Sequence, residues 1–164
     1  MVNVYLLLGS NLGNRNEILA SARERINAEI GAIENLSAVY SSPPWGYSSS
    51  YAFLNQVVLI KTSYNPVRLL EIIKDLEKEA GRIKKAGGYS DRLLDIDILF
   101  YGNEIIDSEN LKIPHPGLHL RRFTLVPLNE IAPGLIHPVL GKPVSQLLGS
   151  CEDTDPVEVF TGEG

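Results

Sequence analysis

FLNQVVLIKTSYNPVRLLEIIKDLEKEA, residues 53–80, changes its hydrophobic period once, and that change decides the fold. Phe53 to Lys61 is dense in aliphatic and β-branched residues, with Val57 and Val58 at its centre, the pattern of a buried strand. Asn65-Pro66 then supplies a helix cap followed by proline at the first helical position, where a missing N–H costs little. Beyond it Leu69, Leu70, Ile73, Leu76 and Ala80 return at helical spacing and form one apolar stripe. A strand therefore runs directly into an amphipathic helix.

The same unit recurs on the N-terminal side. Val2 to Leu8 is mostly apolar, ends at Gly9-Ser10 and reads as a buried first strand. Asn11 or Asn14 can cap a helix carrying Ile18, Leu19, Ala22, Ile26 and Ile30 on one stripe, with Gly31 as its stop. Ile33 to Tyr40 is a second strand, and a loop rich in Pro, Gly and Ser follows from Ser41 to Ser50. C-terminal to the opening stretch, Gly81 to Leu93 is a polar loop containing Gly87-Gly88, and Leu94 to Tyr101 is a strand that stops at Gly102-Asn103. Short extended pieces and one short helix are expected beyond, broken by Pro114, Pro116, Pro127, Pro133 and Pro138. The order strand–helix–strand–strand–helix–strand is the split β-α-β of the ferredoxin-like fold, an α+β sandwich. It predicts an antiparallel sheet with both helices packed on one face.

With 164 residues, 44% hydrophobic and 21% charged, the chain is long enough for one self-sufficient core. The single cysteine, Cys151, excludes an internal disulfide framework and a cysteine-based zinc cluster. No apolar run approaches a membrane span, and no basic segment precedes Val4 to Leu8, so a cytoplasmic protein is expected. The formal charge of −5 is unevenly placed: from Cys151 onward there are five acids and no Lys or Arg. Residues 1–150, expected to form a single catalytic domain, are electrically balanced, and 151–164 reads as an acidic, solvated C-terminal tail. A balanced domain disfavours nucleic acid as a partner and requires a local cluster for any anion it holds.

Leu94-Asp95-Ile96-Asp97-Ile98 is the strongest chemical signal. Residues two apart in a strand share a face, so Asp95 and Asp97 project together while Leu94, Ile96 and Ile98 project into the core. Paired carboxylates suit Mg²⁺, which takes one or two of them and fills its shell with phosphate and water; a half-buried strand with a solvated acidic face is the other reading. Arg82, Lys84, Lys85 and Arg92 lie just upstream, opposed by Asp91 alone. Such a run is either a solvated face or the cations of a metal–polyphosphate site. His115, held between Pro114 and Pro116, can donate to phosphate or cap a turn, and Arg121-x-Phe123 sets a charge near an aromatic ring. Phe53 and Phe123 are either core residues or walls for a flat heterocycle, whose polar edge Asn55 could read. Gly9-Ser10-Asn11-Leu12-Gly13 lacks the lysine and spacing of a phosphate loop and reads as a tight turn. A ferredoxin-like module that binds a small metabolite without chemistry explains the aromatics but not the acid pair among arginines.

In order, Gly9-Ser10-Asn11-Leu12, Ser42-Pro43-Pro44-Trp45-Gly46, Phe53-Leu54-Asn55, Gly81-Arg82, Arg92-Leu93-Leu94-Asp95-Ile96-Asp97-Ile98, Pro114-His115, Arg121-Arg122-Phe123 and Pro127-Leu128 resemble the 6-hydroxymethyl-7,8-dihydropterin pyrophosphokinase family of folate synthesis. The likeness runs from about Val4 to Pro138. It implies an Mg-dependent transferase, a kinase that moves diphosphate from ATP to the hydroxymethyl group of the dihydropterin and releases AMP. It implies that Asp95 and Asp97 hold two Mg²⁺ ions and that Arg82 and Arg92 act on the transferring phosphates. By the same likeness Glu77, Lys84, Tyr89, Arg92, Ile98, Lys112, His115, Pro116 and Arg121 form the ATP site. The pterin would lie between Phe53 and Phe123, against Asn55 and the stretch Ser42, Pro43, Pro44 and Trp45. A monomer with ATP and the pterin as its partners is expected. The chain departs from the family's usual residues at Lys84 (often Arg), Tyr89 (commonly Trp), Phe53 and Pro116 (commonly Tyr), and Ser90-Asp91 (often Gly-Pro).

Overall fold

The computed structural model describes residues 1–44, 52–81 and 93–162. Strand β1 (Val2–Ser10) leads into helix α1 (Arg15–Glu29), then β2 (Ala32–Leu36), β3 (Tyr40–Ser42) and β4 (Phe53–Thr62). Helix α2 (Pro66–Ala80) and strand β5 (Asp95–Tyr101) complete the split β-α-β unit. A small hairpin, β6 (Ile106–Asp107) and β7 (Lys112–Ile113), is followed by a 3-10 turn over Leu118–Leu120, helices α3 (Arg122–Ile131) and α4 (Val144–Gly149), and β8 (Glu158–Val159).

The main sheet runs β5-β1-β4-β3-β8, with β2 also paired to β4. Every pairing in it is antiparallel, as the element order predicts. Side-chain alternation sends Val4, Leu6 and Leu8 of β1 to one core, where they meet Leu19 and Ile26 of α1 and Leu69, Ile73 and Leu76 of α2. Leu7 and Val57 point the other way, onto Leu125 and Leu128 of α3 and Val144 and Leu147 of α4. The helices of the split unit thus share one face as expected, and the opposite face carries a second apolar layer.

Asn65 caps α2, its side chain accepting from Arg68 N at 2.8 Å. Asn14 occupies the cap position of α1 by sequence only, since its side chain makes no capping bond. Gly31 ends α1 because there is no room for a side chain: a Cβ would sit 2.1 Å from the Lys61 carbonyl oxygen. Thr62 Oγ1 donates to Ile30 O at 2.8 Å across the same junction.

Three expectations differ from the structure. The second strand is broken after Leu36, because Val57 N donates to the Ser37 hydroxyl at 3.1 Å and Ala38 N donates to the Glu130 carboxylate. Side chains there stand in for ladder partners, which apolar spacing does not reveal. The C-terminal region holds two α-helices rather than one, and Pro127 lies inside α3. Proline removes one helical hydrogen bond there, while burial of Leu125, Pro127 and Leu128 holds the helix together. The acidic terminus is not simply solvated: β8 pairs with β3, and Phe160 packs against the α1/α2 core. Among the described residues no helix is long and apolar enough to cross a membrane.

Candidate functional site

Strand β5 lies at the end of the sheet, so only one of its edges is used by β1. Its register sets Asp95 opposite Gly9 and Asp97 opposite Leu7. Leu6 then pairs with Ile98 and Tyr5 with Phe100, leaving Leu99 as a one-residue bulge. Before the bulge Ile96 and Ile98 face the α1/α2 core; after it Leu99 and Phe100 both join the α3/α4 core. Asp95 and Asp97 are half-buried on the α3 side. Both carboxylates therefore share a face, and the intervening isoleucine points away, as strand periodicity predicts.

The unpaired edge of β5 is held from outside. Glu77 of α2 accepts from Ile96 N at 2.7 Å, at the peptide between the two acids. At the bulge, Leu99 O accepts from His115 N at 3.1 Å. That bond brings the His115 ring to Asp97, with Nε2 at 3.7 Å from Oδ2. Arg121, just before α3, places Nη2 at the same 3.7 Å from Asp97 Oδ2. His115 Nδ1 accepts from Gly117 N at 3.0 Å and lies 3.4 Å from Arg121 Nη2. An Nδ1 that accepts puts the ring proton on Nε2, toward Asp97. Burial, and then the Arg121 charge, push the His115 pKa down to about 4, so the ring is neutral at pH 7. The sequence left His115 open between capping a turn and serving a ligand; Nδ1 takes the turn, and Nε2 faces Asp97.

Arg121 also stands over the Phe123 ring, 4.9 Å from its centroid. The Arg121-x-Phe123 spacing was thus a usable signal. Asp153, which nothing in the sequence singled out, accepts from Arg122 N at 3.0 Å and closes the first turn of α3.

On the same face, one strand from Asp95, Gly9 pairs with Asn55 of β4, and Asn55 pairs with Tyr40 of β3. Asn55 is buried, and its Nδ2 donates to Ser42 Oγ at 2.7 Å. A Cβ on Gly9 would lie 3.4 Å from Asn55 Oδ1 and 3.7 Å from the Phe53 ring. With glycine there, the surface between the acid pair and Asn55 has no side chain of its own. Ser42 is buried, and Pro43, Pro44, Phe53 and Phe123 are half-buried.

Other candidates stand apart from this cluster. The Ile98 side chain lies in the α1/α2 core, Lys112 pairs with Asp107 at 2.5 Å, and Pro116 is exposed. Trp45, Arg82, Lys84, Lys85, Tyr89 and Arg92 lie outside the described residues. Among the described residues no cluster of three or more His, Cys, Asp or Glu side chains forms a complete protein-only metal cage. Two carboxylates still fit Mg²⁺, which commonly draws its remaining ligands from phosphate and water.

A family model described as 7,8-dihydro-6-hydroxymethylpterin-pyrophosphokinase matches residues 5–133. A 2-amino-4-hydroxy-6-hydroxymethyldihydropteridine pyrophosphokinase from Aquifex aeolicus is 45% identical over 146 residues, covering 89% of this chain and 90% of that one. The protein of the same name from Bacillus subtilis is 39% identical, covering 77% and 76% respectively. Among solved structures, a Plasmodium falciparum HPPK-DHPS with SDX-DHP shares the fold at a TM-score of 0.73 and 21% identity; the match covers 91% of this chain and 43% of that longer one.

Proposed function

The chain belongs to the 7,8-dihydro-6-hydroxymethylpterin-pyrophosphokinase family and transfers a pyrophosphoryl group from ATP to the hydroxymethyl group of the pterin in folate synthesis, and we propose that the face of β5 carrying Asp95 and Asp97 is where it does so. One observation carries this reading: both carboxylates share a face, with His115 and Arg121 each 3.7 Å from Asp97.

The pterin hydroxyl oxygen forms a bond to the β-phosphorus of ATP while the bond from that phosphorus to the α–β bridging oxygen breaks and AMP departs. Asp95 and Asp97 would hold two Mg²⁺ ions, whose chemistry there would be to neutralise the polyphosphate. The neutral His115 donates from Nε2, and Arg121 donates from its guanidinium, to phosphate oxygens. Arg82 and Arg92 add positive charge as the transition state redistributes it. Asp95, acting with the metal, would help take the proton of the hydroxymethyl group.

Glu77, Lys84, Tyr89, Ile98, Lys112 and Pro116 complete the ATP site. Because the Ile98 side chain is in the core, its contact is through backbone, and it shares with Ile96 the strand parity whose peptide groups face away from β1. The pterin lies over Gly9, between Phe53 and Phe123, with Asn55 and Ser42, Pro43, Pro44 and Trp45 against its polar edge. Asn55 already spends its amide on Ser42, which leaves its carbonyl oxygen to accept from a ring N–H. All these groups come from one chain, which supports a monomer. The charge balance of residues 1–150 supports small molecules rather than nucleic acid as partners, and we place the protein in the cytoplasm.

The deciding experiment mixes the protein with ATP, Mg²⁺ and the reduced pterin and identifies the nucleotide product. AMP formed only when pterin and Mg²⁺ are both present is the expected result. ADP formed regardless of pterin, or transfer undiminished by chelation of divalent ions, overturns the reading.

A further inference from the structure

The family match ends at residue 133, and the chain beyond it returns to both sides of the proposed pterin site. Asp153 holds the first turn of α3, just ahead of Phe123. Farther on, Ser41 and Tyr40 of β3 pair with Glu158 and Val159, and Phe160 N donates to Val39 O at 2.8 Å. The Phe160 ring then packs against the core beneath α1 and α2. Over that ring, 5.7 Å from its centroid, stands the guanidinium of Arg15, the first residue of α1. Arg15 Nη1 in turn donates to Ala52 O at 2.9 Å. Ala52 immediately precedes β4, whose next residues on the site face are Phe53 and Asn55.

These contacts form a chain of support. A guanidinium has rotamers enough to leave Ala52, and a flat ring beneath it narrows them. A charge-assisted bond to the Ala52 carbonyl is stronger than a neutral one. It fixes the start of β4 one residue from Phe53, while β8 braces the far side of β3, where Ser42 holds Asn55. A small displacement at this end moves the pterin floor and leaves Asp97, His115 and Arg121 where they are.

We propose that Phe160 and Arg15 are positioning residues for the pterin: the Phe160 ring seats Arg15, and Arg15 holds the entry of β4 so that Phe53 and Asn55 meet the ring at the correct depth. The inference rests on the pterin-site reading given above.

The test uses the full chain and separates the two Michaelis constants. Phe160→Leu keeps an apolar anchor and removes the ring; Phe160→Tyr keeps the ring; Arg15→Lys keeps the charge and removes the fork. Phe160→Leu and Arg15→Lys should each raise the pterin KM about tenfold, within the range that slight misplacement costs, with the ATP KM unchanged. Phe160→Tyr should restore the parent value. Asn55→Ala serves as the reference. If Asn55→Ala raises the pterin KM and Phe160→Leu does not, the support role is wrong and the site reading stands. If Asn55→Ala leaves the pterin KM unchanged, the site reading fails and the inference fails with it. If Phe160→Leu raises both Michaelis constants together and lowers the melting temperature, the residue is merely structural and the proposal is overturned.

Discussion

Asp97 meets a neutral imidazole and a guanidinium at equal distances of 3.7 Å, each longer than a direct hydrogen bond. A partly exposed ion pair of this kind is worth at most about 1 kcal/mol to the fold. Asp95→Ala and Asp97→Ala should abolish Mg²⁺-dependent AMP formation while leaving a folded protein with a cooperative thermal transition. A variant that keeps near-parental turnover removes the metal assignment; one that fails to fold shows that the acid pair is structural. His137 offers a contrast, since it titrates for reasons of folding alone. It is buried, and its Nδ1 accepts from Val139 N and Leu140 N at 3.2 and 3.1 Å. Burial, with the nearby His119, holds its pKa below the ordinary 6.5. The unfolded chain thus binds a proton there before the folded chain does, so stability is full above pH 6.5 and falls as the pH drops below it. Urea midpoints measured from pH 7.5 down to 5 should decline in the parent and decline less in His137→Phe.

Elements meet most tightly at the end of α1. Gly31 is required by the closeness of the Lys61 carbonyl rather than by an unusual backbone angle, so even a methyl group must push β4 away. Gly31→Ala should cost about 1–3 kcal/mol or more, read from the denaturant midpoint, as other overpacked sites do. Asn65→Ala should cost about 1 kcal/mol, because only the α2 capping bond is lost. The first position was legible as a helix stop but not as a steric constraint. The second was legible in full, since a cap and its helix are neighbours in sequence.

Across the whole molecule, α3 holds the segment that links β2 to β3 and the start of β3. Glu130 accepts from Ala38 N and, at 2.7 Å, from the Tyr40 hydroxyl. Burial, and then the Glu130 carboxylate, push the Tyr40 pKa up to about 12. A phenol whose folded pKa is raised stabilises the fold below its ordinary pKa of 10.0, and that stability is lost as pH rises from there toward about 12. Burial also raises Tyr5 and Tyr101, so tyrosinate absorbance should show several phenols ionising late, and Tyr40→Phe should remove one of them.

What the sequence by itself determined is what a backbone decides locally. Strand alternation put Asp95 and Asp97 on one face, helical spacing gave α1 and α2 their stripes, and the order of elements implied the antiparallel sheet. Pairing decided the rest. Glu77 reaches the amide of Ile96 because α2 packs beside the sheet's last strand. His115 reaches Asp97 because a bulge turns Leu99 O outward, and Arg121 arrives there with the turn before α3. The terminus joins the sheet because the edge of β3 needs hydrogen-bond partners. A side chain's direction follows from its own element's repeat, but which distant side chains converge depends on where edges and loops cross, and no short-range period carries that information.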